Sequence, residues 1–191
     1  MRRCLAIGIS IFLAGATQAA PIAPAHPHPS LQKSDLDTLF AALAKANSAQ
    51  DAKPIEEQIL TYFLGSGSPS VDLLMTRTAA ALAAGDKDDA KKILDAVTKV
   101  APAYPEGWHQ RGKMLAAAGD DEGAIICLQK TVTLNPRQFA AYAELGSILI
   151  SYGDKKDGLA TLRKALALDP HLEGVNQEVE KLSREVEGEK I

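Results

Sequence analysis

The 191-residue sequence is 46% hydrophobic but only 5% aromatic, and its formal net charge at pH 7 is -3. Ala and Leu dominate the apolar residues, which favours helices packed on helices over a sheet, because these side chains lose little freedom in a helix. The slight acidity argues against a polyanion-binding surface, so no nucleic-acid partner is expected.

The first 19 residues are typical of a cleaved export signal. Arg2 and Arg3 precede an uncharged stretch from residue 4 to residue 16, and Thr17 and Ala19 place small side chains at the -3 and -1 positions of a cleavage site. The apolar run is shorter than the roughly 18 to 20 residues that span a bilayer, so a membrane anchor is the less favoured alternative. We expect a bacterial periplasmic or secreted protein that starts at Ala20 and has no integral membrane span after cleavage.

Residues 20–33 form a segment rich in Pro and His. His26 and His28 lie in Pro-Ala-His-Pro-His-Pro, where the prolines favour an extended, solvated linker. Two histidines without a third ligand nearby are weak metal candidates, and a plain linker is the favoured interpretation. We expect neither a metal nor a cofactor.

Residues 34–70 are predicted to form a helical hairpin that docks on the segment after it. Ser34 and Asp37 have the spacing of a capping box, and four apolar side chains share one face of a first helix. They are Leu36, Leu39, Phe40 and Leu43. Pro54 can open a second helix, and residues 65–69 form its exit turn.

From residue 71 onward the sequence repeats with a period of 34 residues, which marks a repeat architecture. The recurring pairs are Gly85-Asp86, Gly119-Asp120 and Gly153-Asp154, and the recurring prolines are Pro102, Pro136 and Pro170. A glycine can adopt the left-handed conformation that ends a helix, and the aspartate after it can cap the next helix. The proline ends the second helix of each unit. The period therefore predicts three antiparallel helical hairpins.

This pattern resembles the tetratricopeptide-repeat family, with units at 71–104, 105–138 and 139–172. The second unit carries the family motif most fully. It reads Trp108-x-x-Arg111-Gly112-x-x-Leu115, followed by Gly119, Ala124, Leu128 and Pro136. Arg77 and Arg111 stand where the family usually has Leu, and we interpret them as packing their aliphatic stems across a neighbouring helix.

The resemblance implies an all-α, right-handed superhelical solenoid of antiparallel hairpins. Residues 34–70 would be a degenerate hairpin of the same kind, without the Gly and Pro markers. Residues 173–191 carry an apolar stripe in a charged segment, which indicates a capping helix over the end of the solenoid. A short coiled-coil contact is the alternative for this stripe.

In the family, the first helices of successive repeats line a concave groove that binds proteins or peptides. The corresponding groove positions here are Asp72, Met75, Thr76, Glu106, His109, Gln110, Lys113, Glu144 and Ser147, with Ala79, Ala140 and Ala143 beside them. Family members that clamp a C-terminal carboxylate carry Lys, Asn and Arg at positions that here hold Met75, Ala79, Gln110, Ala140 and Glu144. That specificity is not expected here.

The sequence contains none of the common catalytic or phosphate-binding motifs, so we expect no enzyme activity. The favoured function is an exported interaction or scaffold module that binds a partner protein or peptide in the groove. The alternative is an accessory or regulatory subunit of an envelope enzyme or of a secretion or assembly machine. Assembly into a homo-oligomer is compatible with either.

Overall fold

The computed structural model describes residues 33–188, and this part of the chain folds into nine helices without a strand. The expected export signal, nearly all of the Pro/His-rich segment with His26 and His28, and residues 189–191 lie outside the described residues. The helices are α1 (Lys33–Leu43), α2 (Ala49–Leu64), α3 (Pro69–Ala83), α4 (Lys87–Val100), α5 (Pro105–Ala117), α6 (Asp121–Leu134), α7 (Phe139–Ser151), α8 (Lys155–Leu168) and α9 (Val175–Glu187).

The helices pair in chain order. Helices α1 and α2 form the N-terminal hairpin, while α3–α4, α5–α6 and α7–α8 form the first, second and third repeats. Each repeat also packs on the next one, through α4 against α5 and α6 against α7. The expected all-α architecture of stacked antiparallel hairpins is confirmed for the described residues.

The predicted turn within each repeat is confirmed. Gly85, Gly119 and Gly153 have φ of 76°, 80° and 101°, in the left-handed region that a side chain would strain. The aspartate that follows each glycine accepts a hydrogen bond from the backbone N–H three residues later. Each glycine therefore ends one helix and each aspartate starts the next, and this holds the two helices of a repeat antiparallel.

Glycines inside the first helices let the two helices of a repeat approach closely. A Cβ built on Gly146 would lie 2.6 Å from Cδ2 of Leu162, and one on Gly112 would lie 3.0 Å from Cγ of Leu128. Both leucines are fully buried. The same contact thus occurs in two repeats, 34 residues apart, where the 34-residue period predicts it.

The N-terminal hairpin begins differently from the prediction in both of its helices. Helix α1 starts at Lys33, so Ser34 lies inside it and is not its N-cap. Helix α2 starts at Ala49, where Ser48 accepts a hydrogen bond from the backbone N–H of Asp51. Pro54 is therefore an internal residue of α2. The N-cap hydrogen bond of Ser48 stabilises an earlier start, and this outweighs the preference of Pro for a first helical turn.

The N-terminal hairpin does not dock on the first repeat as predicted; its hydrophobic contacts go to the third. Leu36, Phe40 and Ile59 belong to one buried cluster with Phe139, and Leu172 packs against that cluster. No residue of α3 or α4 belongs to it. The hairpin lacks the Gly and Pro markers of the repeats, and its aromatic side chains are satisfied by the first residues of α7 and the segment after α8 rather than by stacking on α3.

The last helix covers the end of the third repeat, as predicted. Leu182 is buried, and charged residues of α9 pair with α8, Lys155 with Glu185 and Arg163 with Glu187. These contacts satisfy the side of α8 that would otherwise lack a following repeat. Among the described helices, none combines the length and the apolar composition that crossing a membrane requires.

Candidate partner-binding groove

The nine predicted groove residues lie on the first helices of the three repeats, as the register requires. Asp72, Met75 and Thr76 lie on α3, Glu106, His109, Gln110 and Lys113 lie on α5, and Glu144 and Ser147 lie on α7. Their surroundings differ along the surface, and three groups can be distinguished. One lines an open cavity, one forms a buried polar floor beside it, and one is occupied with local contacts at the first repeat.

The open cavity lies between α5 and α7 and has a volume of about 420 Å³. It is lined by Lys113, Ala116, Ala143, Glu144, Ser147 and Ile148. The side chain of Lys113 is 49% exposed, and its Nζ lies 3.9 Å from Oε1 of Glu144. The cavity therefore combines an apolar surface with one cation and one carboxylate that solvent can reach.

Glu144 connects this cavity to a buried polar floor. Its Oε2 lies 3.1 Å from Nε2 of His109, whose Nδ1 lies 3.2 Å from Oε2 of Glu106. His109 and Glu106 are only 3% and 4% exposed. A histidine predicted to be solvated on the groove surface is therefore buried between two carboxylates.

The two carboxylates determine the charge of His109. Burial alone would lower its pKa, but the hydrogen bonds and negative charges of Glu106 and Glu144 outweigh burial and raise the pKa from 6.5 to about 9. At neutral pH the imidazole is a cation, and both ring nitrogens donate to the flanking carboxylates. The expected titration of this residue near its ordinary pKa is therefore replaced by one in the alkaline range.

Two glutamine side chains complete the floor. Gln110 donates from Nε2 to Oε1 of Glu106 over 2.6 Å, and Gln138 donates from Nε2 to Oε2 of the same carboxylate over 2.8 Å. Gln138 is fully buried just before α7, and its Oε1 has no hydrogen-bond partner among the described residues. Sequence reasoning missed Gln138. Its signal was the 34-residue period, because it occupies the position of Tyr104, which is also buried.

The residues predicted on α3 are engaged elsewhere. Oδ1 of Asp72 accepts hydrogen bonds from the backbone N–H and the hydroxyl of Ser66, at 3.0 and 2.6 Å. Met75 packs on the cluster that includes Val71 and Tyr104, and Thr76 donates to the carbonyl of Asp72. None of the three lines the cavity. The structure thus places Lys113, Glu144 and Ser147 in one open site and leaves the α3 residues apart from it.

Arg111 and Cys127 lie behind the groove. Nε of Arg111 donates to Oδ1 of Asp95 over 2.7 Å, and one of its terminal nitrogens lies 3.1 Å from Sγ of Cys127. Arg111 thus makes specific polar contacts in addition to packing its stem. Cys127 is fully buried, and this burial raises the pKa of its thiol. Within residues 33–188, no group of three or more His, Cys, Asp or Glu side chains is arranged to hold a metal ion.

Comparison with known proteins identifies the fold. The tetratricopeptide repeat family model matches residues 139–172, the third predicted unit. The crystal structure of MamA is similar over 82% of this chain and 81% of its own, with 19% identity and a TM-score of 0.58. The first repeat domain of Spaghetti (RPAP3), bound to the HSP90 peptide SRMEEVD, is similar over 61% of this chain and 93% of its own, with 17% identity and a TM-score of 0.57.

A third similar structure is a mutant O-GlcNAc transferase of Thermobaculum terrenum, with 23% identity and a TM-score of 0.54. The match covers 60% of this chain but only 22% of the transferase, so it concerns the helical repeats and not the activity. No curated protein sequence matches the chain. The described chain therefore has the tetratricopeptide-repeat fold, with one repeat at 139–172 that matches the family model.

Proposed function

We propose that the protein is an exported interaction module that binds a partner protein or peptide in the groove between α5 and α7. The observation that carries this proposal is the open cavity of about 420 Å³, a size typical of ligand pockets, at three of the predicted groove residues. Similar repeat domains bind peptides, as the Spaghetti domain does with the HSP90 peptide.

The lining of the cavity indicates the chemistry of the partner. Ala116, Ala143 and Ile148 offer apolar contact for one large side chain, while Glu144 and Lys113 can accept and donate hydrogen bonds at its edge. Because Glu144 is held by protonated His109, its carboxylate is positioned before a partner arrives, which lowers the cost of ordering it on binding. A short extended or helical peptide with one apolar anchor beside polar groups fits this surface.

Charge reversal at one groove lysine tests the proposal. Lys113→Glu removes the only cation of the cavity lining and places a third carboxylate beside Glu144. Lys164→Glu makes the same change on α8, where Lys164 is exposed and outside the cavity. We expect Lys113→Glu to reduce recovery of a crosslinked partner from the native envelope at least about tenfold, which corresponds to about 1.4 kcal/mol of binding.

Lys164→Glu should leave recovery unchanged, and neither variant should alter the melting temperature appreciably, because both positions are exposed. Equal recovery with both variants would show that the groove is not the interface. If the recovered partner is an envelope enzyme whose activity changes on binding, the accessory-subunit alternative is favoured.

Export is part of the same proposal and has its own test. The intact mass of the protein recovered from its source should correspond to a chain that starts at Ala20 or within a few residues of it. A membrane-bound product that retains Arg2 and Arg3 would show that the first segment is an anchor.

A further inference from the structure

The N-terminal hairpin is held on the third repeat by an aromatic contact. The rings of Phe40 and Phe139 meet edge to face with centroids 6.3 Å apart, and Arg137 lies 3.9 Å over the ring of Phe40. Arg137 also pairs with Asp37, one turn earlier on α1. These contacts join residues about 100 positions apart and place α1 at the start of α7, where Ala140 packs against the same cluster.

Two further hydrogen bonds hold the ends of the hairpin. His171 donates from Nε2 to the carbonyl of Ala46, in the turn between α1 and α2, over 2.8 Å. The hydroxyl of Tyr104 donates to the carbonyl of Leu64, the last residue of α2, over 2.6 Å. The hairpin therefore contacts the segments that precede α5 and α7 and the one that follows α8.

A pair of carboxyl groups lies within this contact. Asp169, directly after α8, is fully buried, and its Oδ1 accepts a hydrogen bond from the backbone N–H of His171 over 3.0 Å. Its Oδ2 is also buried and has no hydrogen-bond partner among the described residues when both acids are ionised. Glu56 of α2 interacts directly with Asp169. A proton on Glu56 would let it donate to this oxygen and would remove the repulsion between two negative charges.

The cations that face Glu56 do not cancel this repulsion. They are Lys53, on the same helix, and His171, beside Asp169. Burial, followed by the charge of Asp169 and the hydrogen bond with it, raises the pKa of Glu56 from 4.5 to about 7. Burial also raises the pKa of Asp169, against the hydrogen bonds that lower it. The proton of the pair therefore resides on Glu56, with Asp169 as its acceptor.

The hairpin can leave this position without dismantling the repeats. The hydrophobic clusters within the first and second repeats and between the second and third contain no residue of α1 or α2. The connection to α3 is the short segment Gly65-Ser66-Gly67-Ser68, in which Gly67 has φ of 75°. Undocking would expose mainly Phe139 and its neighbours at the start of α7.

We propose that the N-terminal hairpin is a releasable cover over the start of α7, and that the proton shared by Glu56 and Asp169 makes its release depend on pH. The docked state binds this proton and the released state does not, so docking weakens as the pH rises through the range between the two Glu56 values, from 4.5 to about 7. Release adds the surface at Phe139 and Ala140 to the open part of the groove. The cover does not depend on whether the groove binds a partner.

Hydrogen exchange measured by mass spectrometry tests the cover directly. A difference between 4.5 and about 7 sets an upper limit of about 300-fold on the change in the docking equilibrium, and the partial exposure of Glu56 to solvent reduces it. In the purified mature chain we expect protection of α1 and α2 to fall about tenfold relative to the repeats between about pH 5 and about pH 8, after correction for the pH dependence of intrinsic exchange.

Two variants separate the acid pair from general effects of pH. Glu56→Gln keeps a donor for Asp169 without a titrating proton, so the hairpin should stay protected at both pH values, with a change below about twofold. Glu57→Gln alters the exposed neighbouring residue and should behave as the wild type. Asp169→Asn provides a second neutral pair if Glu56→Gln does not fold, and it should likewise suppress the pH dependence. Equal pH dependence in the wild type and both neutral-pair variants, or none in the wild type, would overturn the proposal.

Discussion

The substitution His109→Gln removes the titrating cation from the buried floor of the groove while keeping a side chain that can donate a hydrogen bond. In the native protein the pKa of His109 is raised from 6.5 to about 9. A group whose pKa is higher in the folded state contributes stability that is fully present below its unfolded pKa and is lost as the pH rises through its folded pKa. The wild type should therefore lose stability at alkaline pH, and the variant should lack this component.

The size of the effect follows from the shift. One pKa unit corresponds to about 1.4 kcal/mol, so the full shift is worth on the order of 3 kcal/mol, a figure that His109 supports because its side chain is only 4% exposed. Between about pH 7 and about pH 9.5, the free energy of unfolding of the wild type should fall by about 2 to 3 kcal/mol relative to that of His109→Gln. This window lies above the range in which Glu56 titrates, so the two acid–base effects are separated.

Urea unfolding followed by circular dichroism gives this difference at each pH, and the groups common to both proteins cancel. Nuclear magnetic resonance of the His109 ring gives the pKa itself. A difference in unfolding free energy that stays constant across the window, or a ring that titrates near 6.5, would refute the assignment of His109 as a buried cation between Glu106 and Glu144.

Two further predictions concern the frame that holds the groove. Gly146→Ala should destabilise the protein by about 1 to 3 kcal/mol because the new methyl group meets Leu162 at 2.6 Å, whereas Gly65→Ala, whose Cβ would find its nearest neighbour at 3.6 Å, should cost less than about 0.5 kcal/mol; thermal melting compares them. Asp120→Ala should cost about 1 kcal/mol in urea unfolding, because it removes the cap that accepts from the N–H of Gly123, and a loss near zero would show that this cap is dispensable.

The repeats could be predicted from the sequence because their determinants are local. Gly119 and Asp120 end one helix and start the next through backbone conformation and a hydrogen bond three residues away, and Pro136 follows the end of α6 by two residues. A 34-residue period repeats these local signals, so helices α3 to α8 lie within the predicted units. The packing of Gly146 against Leu162 follows from the same period.

The docking of the hairpin and the state of the groove floor depend on contacts far apart in sequence. Nothing near Phe40 indicates that its ring meets Phe139, and the burial of Asp169 depends on this long-range packing. His109 occupies a position that the resemblance predicts to be exposed, yet Glu106 and Gln138 enclose it. Such polar networks carry no periodic signal, because each depends on the combination of residues from different helices.

The central claim is that a partner protein occupies the groove between α5 and α7, and a photo-crosslinker placed in that groove measures this most directly. Benzoylphenylalanine replaces Ser147, which lines the cavity, and in a matched protein it replaces Lys164, which is exposed on α8. The account predicts that irradiation in the native envelope yields a defined crosslinked product from position 147 that Lys113→Glu suppresses, and none from position 164. A product from position 164 with none from position 147 would contradict it.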